Sequence, residues 1–137
     1  MTSSKSAATA ANGRALAAGI SAVWLYVRDL DRSLAFYRDV LGLPLVRDER
    51  DAGWAEAHLP GGVRFALHRS HEGAEPQTPG TMTIDFGVAD LDAAVARVRA
   101  AGARVDRIMR ESWGSAATVF DPDGYRISLY QAPSARE

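Results

Sequence analysis

The strongest constraint on this chain is a pattern written twice. From Val23 to Pro44 it reads as a strand, a tight entry, an amphipathic helix and a stop. Val23, Leu25 and Val27 alternate with Ala22, Trp24 and Tyr26, which predicts a strand with two chemically different faces. Asp29 stands where a helix N-cap belongs, with a carboxylate able to accept a free amide hydrogen of the first turn. Leu30, Leu34, Tyr37 and Leu41 then form one apolar stripe, Gly42 ends the helix, and Pro44 prevents its resumption. From Ile84 the same order returns. Ile84, Phe86 and Val88 alternate, Asp90 is the cap, Leu91, Val95 and Val98 make the stripe, and Gly102 closes it. Val27-x-Asp29-Leu30-Asp31 falls on Val88-x-Asp90-Leu91-Asp92 with a shift of 61 residues, whereas the closing glycines differ by 60. The second helix is therefore one residue shorter. A duplicated unit is the economical reading.

Length and composition narrow the options further. A chain of 137 residues makes one compact domain, able to bury roughly 68% of its unfolded surface. A net charge of −1 supplies no field for nucleic acid or an anionic membrane. There is no cysteine, which removes disulfides, thiolate zinc sites and thiol nucleophiles, and a cytoplasmic location is expected. No apolar run approaches the roughly 18 residues of a membrane span. Residues 1–18 are small and polar and are expected to be a disordered tail. The folded domain is expected over 19–132, as modules 20–70 and 81–131 joined by a Pro- and Gly-rich linker at about 71–80.

After the first helix, Leu45 and Val46 open a strand leading to a charged turn at Arg47 to Asp51. Trp54 to Leu59 and Val63 to His68 alternate on either side of the Pro60-Gly61-Gly62 turn, which predicts a meander. The second module repeats this with a helix over 91–101, strands near 104–109, 116–120 and 126–130, and a turn at Asp121-Pro122-Asp123-Gly124. Turn chemistry accounts for the acidic residues of that last segment. The predicted fold is α+β, two βαβββ modules whose curved mixed sheets surround a cavity. Each helix covers one face of its sheet, which leaves the other face for function.

Val27-Arg28-Asp29-Leu30, Phe36-Tyr37, Trp113-Gly114 and Asp121 to Gly124, in this order over paired modules, resemble the glyoxalase/bleomycin resistance protein/dioxygenase superfamily, also called vicinal oxygen chelate. The resemblance covers about residues 20–131. It implies two curved sheets around a cavity, commonly in a homodimer. In enzymes of the family it also implies a divalent metal held by His, Gln or Glu at four positions. The corresponding positions here are Ala22, Ala66, Thr83 and Ser128. Alanine has no lone pair to offer, and neutral hydroxyls are poor ligands beside imidazole or carboxylate. The family's metal chemistry is not carried over, and no cofactor is expected.

Parity with the vacated positions selects the candidate ligand-binding residues: Trp24, Tyr26, His68, Asp85, Arg126 and Tyr130, with Trp54 and Trp113 reaching the same cavity from neighbouring segments. Aromatic walls with a few polar groups are the usual make-up of a small-molecule pocket. Packing is the plain alternative for the tryptophans, an ordinary strand-end histidine for His68, and an ion pair with Arg126 for Asp85. His58, His68, His71, Glu56 and Asp85 are numerous enough for an unorthodox metal site, yet no pair has the spacing of a recognised ligand motif. The expected function is metal-independent binding of a small organic molecule, such as a drug or aromatic metabolite, by a homodimer. A metal-dependent lyase, isomerase or dioxygenase with non-standard ligands is the alternative from a second class, and a purely associative role with a vestigial cavity is a third. Trp24 and Asp85, at equivalent places in the two modules, are expected to approach one cavity from opposite halves.

Overall fold

The computed structural model describes residues 16, 17, 19–72, 75, 76 and 83–134. Most of the expected N-terminal tail and of the inter-module linker lies outside the described residues. The element order is β1 (Ala22–Val27), a first helix, β2 (Val46–Arg47), β3 (Trp54–His58), β4 (Arg64–Arg69), β5 (Ile84–Gly87), a second helix, β6 (Val105–Glu111), β7 (Gly114–Phe120) and β8 (Arg126–Gln131). They build two four-stranded sheets, ordered β1-β4-β3-β2 and β5-β8-β7-β6. In both, the first strand of the module runs parallel to the last, and the remaining pairs are antiparallel. The helical crossover allows this, because it carries the chain over one sheet face before the meander returns it beside its starting strand. The chain is α+β with two mixed sheets that are not closed.

Both helices start as their sequences require. Asp29 accepts from the backbone N–H of Arg32, and Asp90 from that of Ala93, each at 3.1 Å. Gly42 and Gly102 end them at φ of +82° and +87°, where a Cβ would be strained. A second matched detail lies on the surface: Asp31 pairs with Arg47, and Asp92 with Arg110. Such exposed pairs contribute little energy. Their recurrence is a trace of the duplication.

The two helices differ in one respect that explains the unequal shifts. The first helix, α1, is α-helical over Leu30–Leu34 and π-helical over Ala35–Val40. The Leu41 N–H donates to the carbonyl of Phe36, five residues back, at 3.0 Å. The second helix, α2 (Leu91–Ala100), is α-helical throughout. The extra residue of the first module is thus absorbed by widening the helix. This corrects the expected stripe. Leu30, Leu34 and Tyr37 are buried as predicted, but the wide turn also carries Phe36 into the core and leaves Leu41 only half-buried.

One core serves both modules. Val27, Phe65 and Leu67 from the first sheet meet Ile127, Leu129 and Val119 from the second, with the helix stripes between. At its centre, Phe65 and Phe86 have ring centroids 5.3 Å apart, and Tyr37 lies 5.2 Å from Phe65 and 6.2 Å from Phe86. Tyr37 is fully buried, yet its hydroxyl donates to Asp121 Oδ2 at 2.6 Å. Asp121 Oδ1 accepts from the backbone N–H of Asp123 and of Tyr125, each at 2.8 Å. Asp123 in turn accepts from the Arg28 backbone and guanidinium, and the Tyr125 hydroxyl donates to the Tyr26 carbonyl at 2.8 Å. The acidic turn therefore does more than reverse the chain. It clasps the second module to the first.

Burial raises the Asp121 carboxyl above the ordinary aspartate range, opposed in part by the hydrogen bonds it accepts. Burial, and then the neighbouring Asp121, raises the Tyr37 phenol well above its ordinary value. With Asp121 titrating higher in the folded than in the unfolded state, the fold binds more protons in that window. Its contribution to stability is full below the unfolded value and is lost as pH rises through the folded one. Urea unfolding at a series of pH values should show wild type gaining stability relative to Asp121→Asn as pH falls from neutral towards the ordinary aspartate range. Tyr37→Phe, which leaves a buried carboxylate oxygen without its donor, should cost about 1–3 kcal/mol at neutral pH.

Candidate ligand-binding faces

Because the sheets meet through Phe65 and Phe86 on their core faces, their other faces look outward. Strand register sets the order of side chains on each. On the first sheet, Tyr26, His68 and Trp54 form one row across β1, β4 and β3. Trp24, Ala66, Glu56 and Val46 form the next, extended to β2, and Ala22, Arg64 and His58 form a third. The middle row shows why Ala66 matters. It lies between two large neighbours and gives no bulk, so the indoles of Trp24 and Trp54 reach across β4 to 5.3 Å, edge to face. Ala66 beneath them is fully buried although it belongs to the outward face.

His68 sits among these rings, 6.0 Å from Trp24, 5.7 Å from Tyr26, 5.5 Å from Trp54 and 5.8 Å from His71. Its Nε2 is 3.5 Å from Asp51 Oδ2, and its buried Nδ1 has no hydrogen-bond partner among the described residues. A hydrogen on Nε2, facing Asp51, fits this setting better than one on Nδ1, which would be buried without an acceptor. Glu56 ties the face together. It accepts from Trp54 Nε1 at 3.0 Å and Arg64 at 3.3 Å, and His58 Nε2 lies 3.0 Å away. The Trp54 hydrogen bond is the main influence holding its carboxyl below the ordinary glutamate range.

The second sheet has a different outward face. Asp85, Ser128, Thr118 and Arg107 form a polar row spanning all four strands, and Gly87, Tyr130, Ala116 and Met109 form the row beside it. All of these except Gly87, together with Thr83 and Trp113, line a pocket of about 340 Å³, within the size range of small-ligand sites. Trp113 and Tyr130 are stacked at 6.3 Å and 19°, and the Tyr130 hydroxyl donates to the Trp113 carbonyl at 2.8 Å. Among the described residues, the Asp85 carboxylate makes no hydrogen bond or ion pair, with Arg126 or any other group. Arg126 is exposed opposite Phe120 and does not line the pocket.

The structure thus divides the eight predicted residues. Trp24, Tyr26, Trp54 and His68 come together on the first sheet, and Asp85, Trp113 and Tyr130 on the second, with Arg126 at the edge of that face. Trp24 and Asp85 do occupy equivalent places. They do not enter one cavity within the chain, because the core faces of the sheets meet and the outward faces diverge. Glu56, Thr118, Arg107 and Met109 were missed as binding candidates. Pleat parity with Trp54 would have found Glu56, but the others needed the register of β6 and β7. The four positions implied for a metal hold Ala22 opposite Arg64, Ala66 under the indoles, and Thr83 and Ser128 in the pocket. These residues do not fit a catalytic metal. No three His, Asp or Glu side chains converge among the described residues.

Paired βαβββ modules with outward faces carrying aromatic and polar side chains define a protein of the glyoxalase type. The superfamily profile, Glyoxalase/Bleomycin resistance protein/Dioxygenase, matches residues 19–129, and the chain belongs to this family. Lactoylglutathione lyase of Haemophilus influenzae is 32% identical over 126 residues, covering 82% of this chain and 91% of the relative. A glyoxalase/bleomycin resistance protein from Streptomyces sp. CB03234 shares 26% identity at a TM-score of 0.65, covering 82% of this chain and all of that one. TnmS3, an antibiotic binding protein from the same Streptomyces strain, has the same fold at a TM-score of 0.69 and 24% identity, covering 87% and 99% of the two chains.

The stacked wall depends on Gly114. At φ of +133°, a Cβ there would lie 2.6 Å from the Gln131 carbonyl oxygen and 2.8 Å from Tyr130 Cε1. Gly114→Ala must open the start of the β7–β8 ladder or displace the Tyr130 ring. Chemical denaturation should show a loss of about 1–3 kcal/mol, the scale of such backbone strain, together with altered near-ultraviolet dichroism from Trp113.

Proposed function

We propose that this chain binds a small ring-bearing organic molecule without a metal and without turning it over, sequestering a drug or aromatic metabolite. The observation that carries the reading is the pocket on the second sheet, where a Trp113–Tyr130 stack adjoins the polar row of Asp85, Ser128, Thr118 and Arg107. A flat wall takes a ring, and an unpaired carboxylate takes a cationic or hydrogen-bond-donating group. On the first sheet, the indoles of Trp24 and Trp54 cover Ala66, at the position where the family's enzymes are expected to carry a ligand. Trp24, Tyr26, Trp54, His68 and Arg126 are proposed to complete the ligand surface.

The second reading is a lyase, isomerase or dioxygenase with unorthodox metal ligands. The relative named as lactoylglutathione lyase favours it, and the donor chemistry at Ala22, Ala66, Thr83 and Ser128 opposes it. We further propose a homodimer in which the first sheet of one copy faces the second sheet of the other. Trp24 and Trp113 are 42% and 46% exposed on these faces, and pairing would cover both.

Elemental analysis after mild dialysis should find no stoichiometric Zn, Fe, Mn or Ni; about one ion per chain would overturn the metal-free reading. Sedimentation at micromolar concentration should give the mass of two chains, and the mass of a single chain would exclude the dimer. For a ligand found by a thermal-shift screen of aromatic compounds, calorimetry should show Trp24→Ala and Trp113→Ala each weakening binding by roughly 1–3 kcal/mol. Asp85→Asn should weaken cationic ligands most. Leu34→Ala, on the buried face of α1, should lower stability and leave the affinity of folded protein unchanged. Wild-type affinity in all three face variants would sink the proposal.

A further inference from the structure

A further recess, sharing no lining residue with the pocket on the second sheet, lies at the junction of the modules. A crevice of about 600 Å³ opens between α1 and the segment that follows α2, closed at one end by the acidic turn. Its largest apolar side chains are Phe36, Val40 and Phe120, and its cations are Arg32 and Arg104. The duplication explains why it is open. Aligned on their closing glycines, Leu41-Gly42-Leu43-Pro44 of the first module corresponds to Ala101-Gly102-Ala103-Arg104 of the second. Leu41 and Leu43 pack against the core. Ala103 also packs against the core but, like Ala101, carries a methyl where the first module has an isobutyl group, and Arg104 stands where the first module has proline.

The charges facing this space favour an anion. Arg104 lays its guanidinium over the Phe120 ring, 4.0 Å from the centroid, and its ion-pair partner among the described residues is Asp106, at 3.8 Å and itself exposed. Arg32 donates to the neutral Pro122 carbonyl at 2.6 Å, and among the described residues no carboxylate is bonded to it. Asp121 lines the crevice but spends its two oxygens on Tyr37 and on two backbone N–H groups, and Asp123 is paired with Arg28. We propose that the junction crevice binds a medium-chain carboxylate, its hydrocarbon against Phe36, Val40 and Phe120 and its head between Arg32 and Arg104. Such a ligand touches both modules at once, beside the clasp that joins them.

The test uses the full chain and decanoate below its micellar concentration, with decanol and decyltrimethylammonium as comparison probes. Calorimetry should give saturable, stoichiometric decanoate binding, at least about tenfold tighter than either comparison probe, the scale of one charge-assisted hydrogen bond. Ala101→Leu or Ala103→Leu, by supplying the side chains that fill the first module, should weaken it by about tenfold or more. Arg104→Gln, at an exposed position, should remove the preference for the carboxylate without affecting folding. Trp24→Ala and Trp113→Ala should leave it unchanged, which separates this site from the outward faces. Absent or non-saturable binding, equal affinity for decanol, binding that survives both leucine substitutions, or loss with either tryptophan variant would each overturn the proposal.

Discussion

The hydrogen bond from Tyr37 to Asp121 is the interaction on which the arrangement of the two modules depends. A bare apolar interface between Phe65 and Phe86 has no preferred register, because dispersion and the hydrophobic effect are nearly indifferent to small slides. A buried phenol and a buried carboxyl are not indifferent. Separated, each would lose its partner in a place where water cannot replace it. The clasp therefore fixes how the helices and sheets meet, and Arg28, Asp123 and Tyr125 extend it to the end of β1. The outward faces inherit their divergent directions from that fixed contact.

Much of this was legible in the sequence. The period of two in β1 and β5, the caps Asp29 and Asp90, and the glycines at 42 and 102 are local signals, and local chemistry enforces them. The duplicated order implied paired modules before any contact was known. The π-helical turn was visible only as a one-residue discrepancy between two shifts, with nothing at Ala35–Val40 to announce a wider helix. The role of Asp121 was hidden for a different reason. A turn needs Asp-Pro-Asp-Gly for its own geometry, so a long-range partner for the same carboxylate leaves no additional mark.

The outward faces were half legible for a related cause. Parity within a strand assigns a side chain to a face, and it did so correctly for Trp24, Tyr26 and Tyr130. Parity does not say which strands lie side by side or where the face is aimed. Thr118 and Arg107 join Asp85 only through the register of β6, β7 and β8. Likewise, Ala66 looked like a lost ligand from the sequence alone. In the fold it is also a space, and two indoles use it.

The single inserted residue in α1 has a consequence beyond packing. Two copies of one unit, related by near-symmetry, would offer their surroundings two equivalent ends. The wider turn brings Phe36 inward beside Tyr37, and the clasp, the shared aromatic core and the junction crevice all draw on that pair. α2 carries no aromatic residue, so the Tyr37 clasp is not repeated in the second module. One added residue has thus given a doubled molecule a front and a back.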